Sequence, residues 1–506
     1  MDWMALKSGS DVRGAALGEN AVLTSNVAQL LGVAFVHILC DHTGKAAESL
    51  TVSIGRDSRI SGPELLLSAA KGMAQAGAKV LDFGLCTTPA MYMSIITEGF
   101  KADGAVMVTA SHHPYNLNGL KFFEDKGGLS GDEIIKLLQD ASTLSLESLK
   151  GDGIIVQRPF LPAYQKLLSD RIKKGLGTNG MRPLLGLHVA VDAGNGAGGF
   201  YAGMLQDLGA WVDGSQFLEP DGMFPNHVPN PENEDAMASI SAAVKRVKAD
   251  LGVIFDADCD RAAIVDDTGR EINRNRLIAL ISAILLSEKP RQTIVTDSVT
   301  SSGLAEFITE WGGTHYRYKR GYRNVIDEAV RLNANGIDCP LAIETSGHAA
   351  FRENHFLDDG MYLVTLLIVE AMKRKQEGKT LGSLISELRE PVESTEIRLK
   401  ITAADFRLAG KAVIQQVLDY ATSMDDWHIA PDNREGVRLS FNLDGGFQNG
   451  WFLLRLSVHD PVLPLNVESD VPGGTKYMLE SLLKAIESAP GIDIQPIREE
   501  LDKLHD

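Results

Sequence analysis

Three stretches of this chain repeat one grammar, and the repetition narrows the folds open to it. The first runs Thr51-Val52-Ser53-Ile54-Gly55-Arg56-Asp57, then the helix-like Pro63–Gln75, then Gly77 and the strand-like Lys79–Phe83. The second is Leu187–Val191 with Asp192, the helix-like Gly199–Leu208, then Gly209 and Ala210-Trp211-Val212. The third is Thr293–Val295 with Asp297, the helix-like Leu304–Trp311, then Gly312-Gly313 and His315–Tyr318. Each reads as a strand, a polar turn opening on Asp, a helix, a Gly suited to the left-handed position that ends helices, and another strand. Strand–helix–strand units of this size require right-handed crossovers and a largely parallel sheet. Three of them predict three related α/β domains. Beyond Pro391 the pattern changes. Strand-like Glu396–Ile401, Gly436–Phe441 and Trp451–Ser457 dominate, followed by a helical Tyr477–Glu487, which predicts a smaller α+β domain. The expected domains are residues 1–157, 158–270, 271–391 and 392–506.

The totals exclude some classes of function. With 49 basic and 67 acidic residues the net charge is -18, which argues against nucleic-acid binding. It leaves room for an anionic small substrate held in a local basic pocket. Cys40, Cys86, Cys259 and Cys339 are scattered, with no paired spacing, as in a reducing compartment without a thiolate zinc site. The apolar runs around Ala28–Cys40 and Leu277–Leu286 are too short or too interrupted for the roughly 20 residues of a membrane helix. The N-terminus lacks a signal-peptide pattern, and the expectation is a soluble protein of the cytoplasm or an organellar stroma.

Four segments carry chemistry. Ala105–Val108 reads as a buried strand, and Thr109-Ala110-Ser111-His112-His113-Pro114 follows at its C-terminal end, where open α/β sheets gather ligands. Pro114 and Asn118-Gly119 read as keeping the segment a loop, and Lys121 returns into a second short apolar run, Leu120 to Phe123. Serine becomes a useful nucleophile or phosphate carrier only with help. Asp256-Ala257-Asp258-Cys259-Asp260-Arg261 follows the strand-like Leu251–Phe255. Three carboxylates at alternate positions repel one another, and a hard dication such as magnesium relieves that. A solvated acidic turn or a calcium loop are the alternatives. Arg261, next to the triplet, suits a phosphate oxygen. Glu344-Thr345-Ser346-Gly347-His348 follows Leu341–Ile343 and suits two adjacent sugar hydroxyls. Arg455-Leu456-Ser457-Val458-His459-Asp460-Pro461 offers Arg and Ser two apart for an anion.

In order and internal spacing these loops resemble those of the α-D-phosphohexomutase superfamily, the phosphoglucomutases and phosphomannomutases, over nearly the whole chain. Asp11-Val12-Arg13-Gly14 resembles the opening motif and Gly55-Arg56-Asp57-Ser58-Arg59 the second. Glu219-Pro220-Asp221-Gly222, Phe224-Pro225-Asn226-His227 and Asp358-Asp359-Gly360 add further matches. The resemblance implies three α/β domains with mixed sheets and a smaller C-terminal α+β domain around a central cleft. It implies an isomerase that moves phosphate between hexose 1-phosphate and hexose 6-phosphate through a phosphoserine and a hexose 1,6-bisphosphate. Ser111 would be the phosphorylated serine and Lys121 an acid/base, with His112 or His348 also moving protons. Arg13 and Arg261 would steady phosphoryl oxygens. Magnesium would be held by Ser111, Asp256, Asp258 and Asp260, and a hexose 1,6-bisphosphate would serve as activator. Glu344 and Ser346 would bind the sugar, with Gly321, Tyr322 and Arg323 as a specificity loop. Arg455, Ser457 and His459 would bind the distal phosphate. The partners implied are small sugar phosphates, with no nucleic acid or membrane, in a monomer or small homo-oligomer.

The chain departs from that pattern in places. Ala257 and Cys259 stand where the metal loop usually has Gly, and both are small enough that little effect is expected. The phosphate loop keeps only Arg455, Ser457 and Pro461 of its usual seven positions. Two rival functions follow: a non-catalytic member that binds sugar phosphates or a partner, and a serine-dependent phosphatase.

Overall fold

Thr51–Arg56, Lys79–Leu85 and Gly104–Val108 are short, apolar and rich in β-branched residues, and they form the parallel heart of the first sheet. Ile155–Gln157 adds a further parallel strand at one edge. On the other side Gly104–Val108 pairs antiparallel with Leu117–Glu124, which pairs antiparallel with Asp11–Ala15. The sheet is therefore mixed. Helices Ser25–Thr43 and Gly62–Gln75 pack on it through Phe35, Leu39, Leu65 and Ala69.

The computed structural model describes residues 1–149, 151, 153–457 and 460–504. It divides into two units, Met1–Asn273 with Ser346–Ser383 and Arg274–Thr345 with Leu384–Asp506.

The antiparallel return corrects one expectation. Asn118 and Gly119 are not loop residues but lie inside the Leu117–Glu124 strand, as does Lys121. Gly119 serves close approach: a Cβ there would stand 2.4 Å from the Val12 carbonyl oxygen. The loop that carries Ser111 is thus a short strand-to-strand connection, pinned at both ends by the ladder.

The second domain builds a four-stranded sheet in the order Glu271–Ile272, Ala262–Asp266, Leu251–Phe255, Val189–Asp192, of which the last two are parallel. Ala210–Val212 was expected as a strand. It makes only the single bridge of Trp211 to His188, because the turn at Asp213-Gly214 cuts the run short. Helix Glu234–Val247 packs Met237, Ile240 and Val244 on this sheet.

In the other unit Thr314–Arg317, Thr293–Thr296 and Leu341–Ile343 are parallel neighbours. The C-terminal domain is a five-stranded antiparallel sheet in the order Glu393–Lys400, Val462–Ser469, Gly450–Leu454, Val437–Phe441, Trp427–Ile429. Helices Phe406–Ala421 and Gly474–Ile486 cover it. The run predicted as Trp451–Ser457 ends at Leu454, and Val462–Ser469 is a further strand that the sequence analysis does not predict. Pro464 sits near the start of that strand, where its carbonyl accepts the Arg455 N–H at 3.1 Å. Among the described residues no helix is long and apolar enough to cross a membrane.

Candidate active site

Ser111 stands in the tight connection after Gly104–Val108 with a left-handed backbone, φ 50°. Its N–H donates to Thr109 Oγ1 at 2.9 Å, and its hydroxyl donates to Asp256 Oδ2 at 2.9 Å. Arg261 Nη2 donates to the same hydroxyl oxygen at 3.0 Å. The ring nitrogen Nδ1 of His112 lies 3.3 Å from it and also receives a hydrogen bond from Arg261. Burial, then the Arg261 charge, push His112 down to about 2, and burial with Arg13 pushes His113 down to about 4. Both imidazoles are therefore neutral near pH 7, and His112 Nδ1 accepts from Arg261 beside the Ser111 hydroxyl.

The three aspartates offer carboxylate oxygens within 4.8 Å of one another, and all three residues are buried. Lys121 Nζ donates to Asp258 Oδ2 at 2.9 Å and to Asp260. Thr88 Oγ1 donates to Asp258 Oδ2 at 2.5 Å. Burial and the neighbouring Asp260 and Asp258 raise Asp256 well above the usual carboxylate range. Burial acts the same way on Asp260, but Lys121, His348 and Arg261 overcome it and hold Asp260 below that range. Burial works against the Lys121 charge, yet Asp258 and Asp260 outweigh it and keep the ammonium protonated well above its ordinary range. Asp258 Oδ1 and Asp260 Oδ1 are buried with no hydrogen-bond partner among the described residues. Orphaned carboxylate oxygens beside two further carboxylates are the donor set a hard dication takes, so the residues fit magnesium. The expectation for Cys259 needs amending. It has φ 65°, the backbone a glycine takes without strain, so replacing Gly here does have a local cost.

Arg13 donates to Asp11 at 2.9 Å. His348 pairs with Asp358, and Asp260, His348 and Asp358 form a second cluster of possible ligand atoms. Burial lowers His348, but Asp358 and Asp260 raise it further, to about 9. The Ser346 hydroxyl is buried with no protein partner. Thus Ser111, His112, Arg13, Lys121, Arg261, the three aspartates, Ser346 and His348 belong to one unit.

The remaining predicted residues belong to the other unit. Glu344 Oε1 accepts the Gly321 N–H at 2.6 Å, joining two predicted sugar residues. Tyr322 opens the helix Tyr322–Ala334, and Arg323 pairs along that helix with Asp327. Arg455 is half-buried, its Nε has no hydrogen-bond partner among the described residues, and burial and then Arg320 lower its pKa. Ser457 Oγ accepts the Asp460 N–H at 3.3 Å. His459 lies outside the described residues.

Several residues of the site escaped the sequence reading. Thr88 carries no motif. Asn230 and Glu232 approach the Arg261 guanidinium at 3.4 and 3.7 Å. His227 was noted only as a match, but its Nε2 lies 3.1 Å from both oxygens of buried Asp192. Burial lowers His227, and the Asp192 carboxylate more than offsets it, leaving the folded-state pKa above the ordinary value. The stabilisation is then complete below about pH 6.5 and fades as pH rises through the folded value. His227→Gln is expected to lower Tm at pH 6, by the equivalent of about 1–2 kcal/mol, and much less at pH 9. Thermal melts at the two pH values check this, and equal losses would remove the charged pair.

Residues 5–145, 168–269 and 273–392 match three family models described as phosphoglucomutase/phosphomannomutase alpha/beta/alpha domains I, II and III. The chain belongs to the phosphoglucomutase/phosphomannomutase family. It is 33% identical over 421 residues to a phosphomannomutase/phosphoglucomutase of Pseudomonas syringae pv. tomato, covering 83% of each chain. It is 29% identical to a phosphoglucomutase of Neisseria gonorrhoeae over 95% of its own length and 96% of that protein's. The crystal structure of a phosphoglucomutase/phosphomannomutase family protein from Burkholderia thailandensis superposes with a TM-score of 0.78 at 27% identity, covering 97% and 99% of the two chains. The chain is thus a phosphohexomutase, an isomerase, built on the family's α/β fold.

Proposed function

We propose that this phosphohexomutase interconverts hexose 1-phosphate and hexose 6-phosphate, with Ser111 as the phosphate carrier. The observation that carries this reading is the Ser111 hydroxyl held between Asp256 and Arg261 beside two further aspartates. In the forward step a sugar hydroxyl attacks the phosphorus on Ser111. A new P–O bond forms at the sugar, the Ser111 Oγ–P bond breaks, and the proton given up by the sugar hydroxyl is made good on the Ser111 oxygen, giving a hexose 1,6-bisphosphate and free Ser111. The other phosphate then returns to Ser111. A magnesium ion held by Asp256, Asp258, Asp260 and a Ser111 oxygen would draw charge from the transferring group.

The chain's own groups have distinct parts. Arg261 and Arg13 balance phosphoryl oxygens. Lys121 and His348 enter charged near pH 7 and act as proton donors, and neutral His112 lies beside the Ser111 hydroxyl, where it holds Arg261. Glu344, Ser346, Gly321 and Tyr322 recognise the sugar, and Arg455, Ser457 and His459 the distal phosphate. A bisphosphate activator would phosphorylate Ser111 at the outset.

The test is an isomer assay on glucose 1-phosphate and mannose 1-phosphate with a trace of bisphosphate and magnesium. Conversion to the 6-phosphates, stopped by a chelator and restored by magnesium, is expected. Release of free phosphate without isomer formation would reject the mutase reading. Arg455→Ala is expected to raise KM about 10- to 100-fold, the size of one charge-assisted contact. Initial-rate kinetics check it, and an unchanged KM would mean that this loop does not hold the substrate.

A further inference from the structure

The motif Gly55-Arg56-Asp57-Ser58-Arg59 has no part in the chemistry above, yet Arg59 is among the largest fully buried side chains of the protein. Among the described residues its guanidinium donates only to the segment around Ser111 and to its own Asp57. Nη2 donates to the carbonyls of Ser111 and His113, and Nη1 to those of Pro114 and Leu117, at 2.8 and 2.9 Å. Nε donates to Asp57 Oδ2 at 3.2 Å, and both side chains of that pair have no exposed surface. The same Asp57 oxygen accepts Thr109 Oγ1 at 2.7 Å, and Thr109 Oγ1 accepts the Ser111 N–H. Ser111 is thereby held at both its N–H and its carbonyl while its φ is left-handed.

The second domain covers this arrangement. Phe224 places its ring 5.1 Å from the Arg59 guanidinium carbon. Gly222 lies so close that a Cβ would meet the Ser58 carbonyl oxygen at 2.5 Å and Arg59 Cα at 2.7 Å. The turn Asp221–Phe224, also unused by the chemistry, is therefore the lid over Arg59.

We propose that Arg59 is a positioning residue for phosphoryl transfer, setting the backbone of Ser111 so that its hydroxyl meets Asp256 and Arg261. It touches no reacting atom and acts through four carbonyls of one loop. Lysine keeps the charge but has three donors on one nitrogen, and it cannot span four carbonyls and a carboxylate with the planar fork of arginine. A misplacement near 1 Å at a reacting group costs on the order of 100-fold in rate.

The inference rests on Ser111 as carrier, so Ser111→Ala is assayed alongside. Arg59→Lys is expected to lower kcat about 100-fold with KM changed less than about 3-fold. It should slow the transfer of phosphate from labelled bisphosphate onto Ser111 to the same degree. Arg59→Ala, whose cavity admits a guanidinium ion, should regain activity with added guanidinium and not with ammonium. Thr109→Val, which keeps volume and removes the acceptor for the Ser111 N–H, should show the same loss of kcat at unchanged KM. The proposal is overturned if Arg59→Lys keeps kcat within about 3-fold of the parent. It is equally overturned if, should Arg59→Lys not fold, Thr109→Val keeps it, or if activity falls only in proportion to folded protein with no guanidinium rescue. Activity in Ser111→Ala would instead overturn the carrier assignment.

Discussion

Ser111→Ala is expected to lower kcat by about 10⁴-fold or more while Tm shifts by no more than a few degrees. The magnitude is that of deleting a nucleophile whose partners cannot act without it. The stability change is small because alanine suits the left-handed position about as well as serine, and because Asp256 Oδ2 keeps the Arg261 Nε donor at 3.1 Å after the hydroxyl is gone. Intact mass after incubation with bisphosphate supplies the second readout. The parent should gain one phosphoryl group and the variant none. A phosphorylated, active Ser111→Ala protein would reject the carrier.

Lys121→Met is expected to act on stability first. The ammonium is buried, and its removal leaves Asp258 and Asp260 without their nearest cation. Breaking a buried pair in this way costs about 3–5 kcal/mol. Magnesium should recover part of that loss, since an ion that binds only the folded state stabilises it in proportion to the logarithm of its concentration. The magnesium-induced rise in Tm should therefore be larger in Lys121→Met than in the parent. Melts with and without magnesium decide it: an unchanged Tm and an equal magnesium shift would mean that Lys121 does not balance the aspartates. Residual turnover should be low even with magnesium, because a charged proton donor has been lost.

How far the chain could be read from its sequence depended on the kind of signal. The Asp-ended strands at Asp57, Asp192 and Asp297 marked three α/β repeats, because strand periodicity and helix-ending glycines are local. Asp57 and Asp297 turn out to do the same job, each accepting the hydroxyl of a threonine beyond the next strand of its sheet, Thr109 and Thr345, at 2.7 Å. Residues 256–261 were legible as carboxylates gathered in one place, because like charges at alternate positions need a cation wherever they fold, and the structure brings all three together beside Lys121. Lys121 was visible in a short apolar run, but the strand's start at Leu117 was not, since Asn118-Gly119 has the composition of a turn. Only the pairing with Asp11–Ala15 shows why glycine stands there. Thr88, Asn230, Glu232 and the role of Arg59 were beyond reach. Their contacts join segments up to 170 residues apart in sequence, and no local pattern marks them.

Three turns in the first unit share a left-handed residue: Ser111 at φ 50°, Cys259 at 65° and Gly347 at 92°. Each follows the strand that ends in one of the predicted loops. Glycine holds such a backbone freely, and any other residue holds it against a steric penalty. The three positions are thus one architectural slot filled in three ways. A glycine at 259 would relax the turn and leave every carboxylate in place. A glycine at 111 would relax the turn equally and delete the oxygen proposed to carry phosphate. Tolerance of glycine should therefore separate a turn that merely shapes a loop from one that bears the proposed phosphate carrier, and a library allowing glycine at these three sites would sort them by survival alone.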